Sequence, residues 1–337
     1  MGKTRWIWVD SLKGWLMLLV VMGHAIQYCM NAGECESNYW WNLIYSFHMP
    51  AFMALSGFVN FSSTPPPSYE YYLHLCVRRT RQLLVPFLLW SVFKWLVDGS
   101  FSLNDLVHIT FSSGGFFWFL LVLWVISIIF IIGNVLSKLL SISQDFIEIM
   151  IMFVLTLAMI FGEYRIFGFQ LISYYFVFYV AGYCFNKYNK LITVNFTIVG
   201  LASLVWIFMA SFWNMHQLPV FLEEVAFLPK SLLLYAYRFL TALLGIYILL
   251  SIAPSFLNNS KWFNVLIVHI GKISLGLYVV HLVLIIHLSE CLKVLLPSTP
   301  LVVLILVCFI LTCCMAVPVV EILLCFKFTS KILLGKL

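Results

Sequence analysis

The chain has 337 residues, of which 63% are hydrophobic and only 9% charged. That balance excludes a soluble globular protein, and apolar runs long enough to cross a hydrocarbon core recur from end to end. The net charge of +6 is not a nucleic-acid signature, because the basic residues sit in short segments between apolar runs.

In chain order the pattern predicts an all-α, polytopic membrane bundle of about ten helices, near 12–30, 41–60, 82–97, 115–133, 147–162, 170–186, 193–211, 230–251, 272–289 and 300–324. The start does not read as a cleaved signal peptide. Its apolar run after Lys13 is long, lacks a small-residue cleavage site and leads straight into a second span. Pro65, Pro66 and Pro67 break the chain after that span, since proline fixes φ and removes a donor. Gly114-Gly115 and Asn258-Asn259 mark similar joints. With no repeat and no water-soluble segment, residues 1–337 read as a single transmembrane domain. The nine Cys are scattered, several within apolar runs, as at Cys308, Cys313 and Cys314. None has metal-site spacing, so no metal is expected. Cys29 and Cys35 flank the first outer turn and could approach each other.

Charge sets the expected orientation. With the N-terminus in the cytoplasm, the outer side holds only Lys94, Arg165, Lys230, Arg238 and Lys293 of the 19 Lys and Arg. The inner side holds the rest, including Lys3, Arg5, Lys13, Lys138, Lys187, Lys190, Lys261, Lys272 and Lys327. This is the positive-inside asymmetry of an even number of spans with both termini cytoplasmic. Glu34, Glu36, Asp98, Glu223, Glu224 and Glu290 then fall outside.

Polar residues inside the spans are costly and mark either a function or a buried partner. His24 lies near the outer end of the first helix, and His48 enters the second at a similar depth of about 10 Å. The two imidazoles could meet in one cavity, or could simply bridge helices. Pro50 loosens the backbone ladder beyond His48, and Ser56-Gly57 permits close helix approach. Arg238, about 12 Å into the eighth span, needs an anionic partner, an aqueous cavity or a reacting oxygen unless it snorkels outward. His281 sits closer to the bilayer middle, with Tyr278 on the same helix face, and reads equally well as a structural histidine. Arg78, Arg79 and Arg81 crowd the entrance of the third helix. Their guanidinium forks match phosphates, of a ligand or of lipid headgroups, and Lys13 could join the same patch.

These residues resemble those of a known family of integral membrane acyltransferases, the acyltransferase 3 family. The resemblance lies in Lys13 and His24 with ten residues between them, preceded by Asp10, and in Phe47-His48-Met49-Pro50 with Ser56-Gly57. It continues in Arg78 and Arg81 with Pro86, in Gly115, Trp118, Phe119 and Leu120, and in Gly271, Ser274, Tyr278 and His281. The resemblance implies transfer of an acyl group, usually acetyl from acetyl-coenzyme A, to a hydroxyl of an extracytoplasmic or lipid-linked carbohydrate. Members modify O-antigen, capsule, exopolysaccharide, peptidoglycan, glucans and antibiotics. A multi-pass protein of the bacterial inner membrane is implied, with acyl-coenzyme A as the cytoplasmic partner, a surface glycan or lipid-linked sugar as acceptor, and lipids around it. The chain resembles the shorter members, without the hydrolase-like C-terminal domain of some longer ones.

On that reading His24 is the general base, Arg238 stabilises the oxyanion or holds the acceptor, and His48 positions. Lys13, Arg78, Arg81 and Trp118 form the donor site. Asp10 lies about 21 Å from His24 along the helix and pairs instead with Lys13 or an inner arginine. Direct transfer is expected rather than a relay through His24, Tyr278 or Ser274. The competing class is a membrane transporter of a glycan intermediate or anion, using the same buried groups for recognition.

Overall fold

The computed structural model describes residues 6–30, 33–62, 68–99, 115–161, 169–189, 194–224, 229–258 and 262–336. Among them every regular element is helical. In chain order these are α1 (Ile7–Cys29), α2 (Tyr39–Tyr45), α3 (His48–Asn60), α4 (Tyr69–Arg79) and α5 (Val85–Asp98). Next come α6 (Trp118–Leu140), α7 (Gln144–Phe161), α8 (Phe169–Lys187), α9 (Phe196–Ser211) and the short α10 (Val220–Glu223). The last are α11 (Lys230–Phe256), α12 (Trp262–Lys272), α13 (Ser274–Leu295), α14 (Leu301–Cys325) and α15 (Lys327–Ile332).

Five of these, α1, α6, α11, α13 and α14, are long and apolar enough to cross a membrane. The 23 residues of α1 extend about 34 Å, against a hydrocarbon core of about 30 Å. Along α14, Val302, Leu306, Ile310 and Ile322 are all exposed, an apolar row that suits lipid rather than water.

Several boundaries differ from the sequence expectation for identifiable reasons. The expected 41–60 helix is two, α2 and α3, separated at Ser46-Phe47. Pro50 has no N–H for the Ser46 carbonyl, so the ladder cannot run through. His48 is therefore the first residue of α3 rather than a position well inside a continuous helix. The expected 82–97 helix begins much earlier, because α4 joins α5 through a π-helical turn at Thr80–Leu84. Thus Arg78, Arg79 and Arg81 are helical residues and not a loop before the span. A separate helix, α12, precedes α13. Pro65 to Pro67, Gly114, Asn259, Lys3, Arg5, Arg165, Lys190 and Lys261 lie outside the described residues.

The chain divides into two compact units. Unit 1 comprises residues 1–55 and 190–320, and its spine is α1 packed against α12 and α13. Glycine makes that packing possible. A Cβ on Gly271 would lie 1.7 Å from the Asp10 carbonyl oxygen, and one on Gly14 would lie 2.1 Å from that of Ile267. Between membrane helices, where lipid supplies no hydrophobic drive, such close backbone approach provides the contact. A hydrogen bond of 2.5 Å from Ser11 Oγ to Asn264 Oδ1 pins the same interface. Asn264 also donates to the Leu257 carbonyl at 3.0 Å, tying α12 to the end of α11.

Unit 2 comprises residues 56–189 and 321–337, with α6, α7 and α8 as its core. Gly57 lets the end of α3 lie on α8, where a Cβ would fall 1.9 Å from the Tyr179 carbonyl oxygen. Asn186 Nδ2 donates to the Phe58 carbonyl at 2.7 Å across the same contact. Trp90 Nε1 donates to the Leu333 carbonyl at 2.9 Å, securing the C-terminal segment on α5. Lys94 is buried but paired with Asp98 one turn on, and its ammonium lies 4.5 Å from the centre of the Phe116 ring.

Candidate active site

In unit 1 the register of α1 on α13 brings two imidazoles together. The rings of His24 and His281 lie 5.4 Å apart, tilted by 46°. His281 is fully buried, and its Nδ1 sits 2.7 Å from the Leu277 carbonyl one turn back. A carbonyl can only accept, so Nδ1 carries the hydrogen and Nε2 holds a lone pair. That Nε2 is buried and meets no hydrogen-bond partner among the described residues. The same is true of His24 Nδ1. His24 is otherwise bracketed by Tyr28, whose ring stacks at 5.9 Å, while Tyr278 lies 6.1 Å from His281.

His48 is held by the same device. Its Nδ1 is 2.7 Å from the Ile44 carbonyl, at the end of α2 where the helix breaks, which again leaves Nε2 as the basic nitrogen. Tyr45 links this imidazole to α1. Its ring meets His48 edge-on at 4.8 Å, and its hydroxyl donates to Gln27 Oε1 at 3.0 Å. Both His281 and His48 are near enough to His24 for a charge on one to be felt at the next. Three imidazoles thus gather around one end of α1. Sequence spacing singles out His24 and His48 but leaves His281 open. Its place in the cluster depends on the glycine-set register of α1, α12 and α13.

Arg238, in α11, faces the segment that follows α9. Its Nη1 donates to the Met215 carbonyl at 3.2 Å, and its guanidinium lies 5.6 Å from the centre of the Trp213 ring. The neighbouring Asn214 and Asn42 both donate to the Glu36 carbonyl, at 3.0 and 2.7 Å. Cys29 and Cys35 are both free thiols. Cys29 turns instead toward α14, with its sulfur 3.9 Å from the Leu304 carbonyl.

The expected donor-site residues divide between the units. Lys13 is half-buried on α1 in unit 1. Arg78 and Arg81 belong to unit 2, both exposed, flanking the junction of α4 with the π turn. Arg79, which sequence reasoning gave no role of its own, turns inward and donates to Asn60 Oδ1 at 3.3 Å. The π turn is fastened by Trp124 Nε1, which donates to Thr80 Oγ1 at 3.0 Å. Such turns insert one residue into a helix and often occur at functional sites. Trp118, the first residue of α6, is half-buried with its ring 5.2 Å from that of Tyr175.

A family model described as an acyltransferase domain, the acyltransferase 3 model, matches residues 6–318. The chain belongs to that family. Five of its described helices are suited to a membrane, and both the histidine and the arginine regions lie inside the matched stretch. The chain is similar to the nodulation protein NolL of Mesorhizobium japonicum, 30% identical over 188 residues, covering 53% of this chain and 47% of the relative. It is also similar to the nodulation protein NolL of Sinorhizobium fredii, 29% identical over 150 residues, covering 41% of this chain and 40% of the relative. The matches therefore span less than half the length of either relative. No solved structure matches the chain. Among its described residues, no group of three or more His, Cys, Asp or Glu is placed to hold a metal ion.

Proposed function

We propose that this acyltransferase moves an acetyl group from acetyl-coenzyme A to a hydroxyl of an extracytoplasmic or lipid-linked carbohydrate. The observation that carries the reading is the His24–His281 pair, a half-buried and a buried imidazole 5.4 Å apart, each with one buried ring nitrogen that meets no hydrogen-bond partner among the described residues. A neutral imidazole with a free lone pair is suited to general-base chemistry. His24 takes the proton of the acceptor hydroxyl as its oxygen bonds to the thioester carbonyl carbon. The carbon–sulfur bond then breaks, and the proton passes to the departing thiolate. His281, its tautomer fixed by Leu277, orients His24, and His48 positions the acceptor. Arg238 supplies positive charge to the acceptor or to the developing oxyanion. Arg78 and Arg81 bind the donor phosphates, with Trp118 and Lys13 as further donor-site residues.

The membrane frame of this reading is a single domain with ten spans and both termini in the cytoplasm of a bacterial inner membrane. Cysteines placed at Lys187 and Lys327 should then resist a membrane-impermeant thiol reagent added from outside, while those at Glu34 and Glu223 react. Reaction at the two lysine positions from outside overturns the orientation. For the chemistry, surface glycans from cells with and without the gene are compared by mass, beside a His24→Ala complement. Acetylated glycan should appear only with the wild-type gene, and purified protein should consume acetyl-coenzyme A in proportion to product. A transported glycan that stays chemically unchanged contradicts the proposal.

A further inference from the structure

Unit 2 contains a second group of buried polar atoms. Ser127 on α6, Tyr179 on α8 and Glu148 on α7 are 2%, 1% and 2% exposed. Among the described residues, Ser127 Oγ, the Tyr179 hydroxyl and Glu148 Oε2 meet no hydrogen-bond partner within bonding geometry. Each is nevertheless well placed. Tyr179 packs its ring on Phe130 at 5.2 Å, with Ser127 beside it and Arg79 and Glu148 as its charged neighbours. Gln144 donates to Glu148 Oε1 at 2.6 Å and accepts from the Tyr183 hydroxyl at 3.1 Å, which orients the carboxyl and leaves its other oxygen unmet. Pairing the two hydroxyls with each other would still leave that oxygen without a donor.

Buried polar atoms are nearly always satisfied in folded proteins, so this group, and Glu148 Oε2 above all, has hydrogen-bonding capacity to offer a polar ligand. What surrounds them limits its chemistry. The junction of α4 with the π turn, which carries Arg78, Arg79 and Arg81, is fastened to the same helix as Ser127 through Trp124 and Thr80. Aromatic walls line the contact between α6 and α8, with Phe130 against Tyr183 at 4.8 Å and Trp118 against Tyr175 at 5.2 Å. A ligand that fits is anionic at one end and continues as a thin chain, mostly apolar but carrying amides. Hydroxyls can donate to amide carbonyls, and a carboxylate oxygen can accept from an amide N–H.

We propose that Ser127, Tyr179 and Glu148 hold the amide-bearing pantetheine arm of the acyl-coenzyme A donor, beside the arginine-bearing junction that takes its phosphates. This rests on the donor reading above and adds binding residues that no sequence motif marks. No bond is made or broken at this site; it selects an acyl carrier with an arm over a bare nucleotide.

The test is titration calorimetry on the purified full chain in lipid nanodiscs, with two probes. One is coenzyme A. The other is 3′-phosphoadenosine 5′-diphosphate, which has the phosphates but no arm. Tyr179→Phe keeps the ring that packs on Phe130, and Ser127→Ala removes one oxygen, so both substitutions are mild. Each should weaken coenzyme A by about 2- to 10-fold and leave the nucleotide unchanged. Arg78→Ala should weaken both probes. If wild type binds both probes and neither mild variant alters coenzyme A affinity, the arm site is overturned while the donor reading stands. An equal loss of both probes in the mild variants also overturns it. A wild type that binds neither probe overturns the donor reading and the arm site together.

Discussion

The two units bury polar groups in opposite ways. In unit 1 the groups are imidazoles, and two of the three are locked by a carbonyl one turn back on their own chain, Ile44 for His48 and Leu277 for His281. In unit 2 they are hydroxyls and a carboxyl, oriented by side chains such as Gln144 and neighboured by a helix junction bearing three arginines. A locked imidazole presents one lone-pair nitrogen at a fixed place, which suits His281 and His48 to positioning groups around His24 for proton transfer. Hydroxyls beside guanidiniums suit holding a long anionic ligand. On the proposed function, proton transfer falls to unit 1, and the donor-binding residues other than Lys13 fall to unit 2.

The division can be broken in several ways. The largest expected effect is on rate. His24→Ala should slow acyl transfer by about 100- to 10,000-fold while coenzyme A binding persists, and His48→Ala should be milder. Product formation at saturating donor and acceptor distinguishes them. Full activity in His24→Ala with loss in His281→Ala would move the base to α13. The next effect is on affinity. Arg78→Ala or Arg81→Ala should cost about 1.5–3 kcal/mol of coenzyme A binding, read by calorimetry, because each removes a charged hydrogen bond. Unchanged affinity in both would return these residues to lipid headgroups. The smallest is on stability. Gly271→Ala forces a Cβ into the Asp10 carbonyl and should destabilise unit 1 by about 1–3 kcal/mol, seen as a lower melting temperature. It should slow transfer more than it weakens coenzyme A binding, since of the proposed donor-site residues only Lys13 lies near this contact. A coenzyme A affinity that falls with it would blur the division.

Much of this was legible in the sequence where one residue carries its own signal. The long apolar runs announce α1, α6, α11, α13 and α14, and a histidine within α1 is conspicuous because it is costly there. The family resemblance in Lys13 to His24, Arg78 to Arg81 and Gly271 to His281 is upheld by the match over residues 6–318. Less legible was whatever depends on one helix meeting another. The pairing of His24 with His281 follows from Gly14 and Gly271 letting backbones touch, which residue spacing on a single helix cannot reveal. The break at Ser46-Phe47 moved His48 to a helix start, although Pro50 was the available clue. The π turn at Thr80–Leu84 leaves no simple periodic mark, so the arginines read as an entrance rather than part of a helix. Ser127 and Tyr179 are unremarkable in an apolar run, and only their burial without partners makes them candidates.

The most direct measurement of the division between chemistry and donor binding is a single turnover. His24→Ala, in nanodiscs, is loaded with acetyl-coenzyme A and mixed with the acceptor glycan that the mass comparison identifies. The expected result is wild-type donor affinity with the bound thioester left intact, while wild type converts it to acetylated glycan. Transfer from His24→Ala at the wild-type rate, or loss of donor affinity along with activity, would contradict the assignment of proton transfer to the unit 1 histidines.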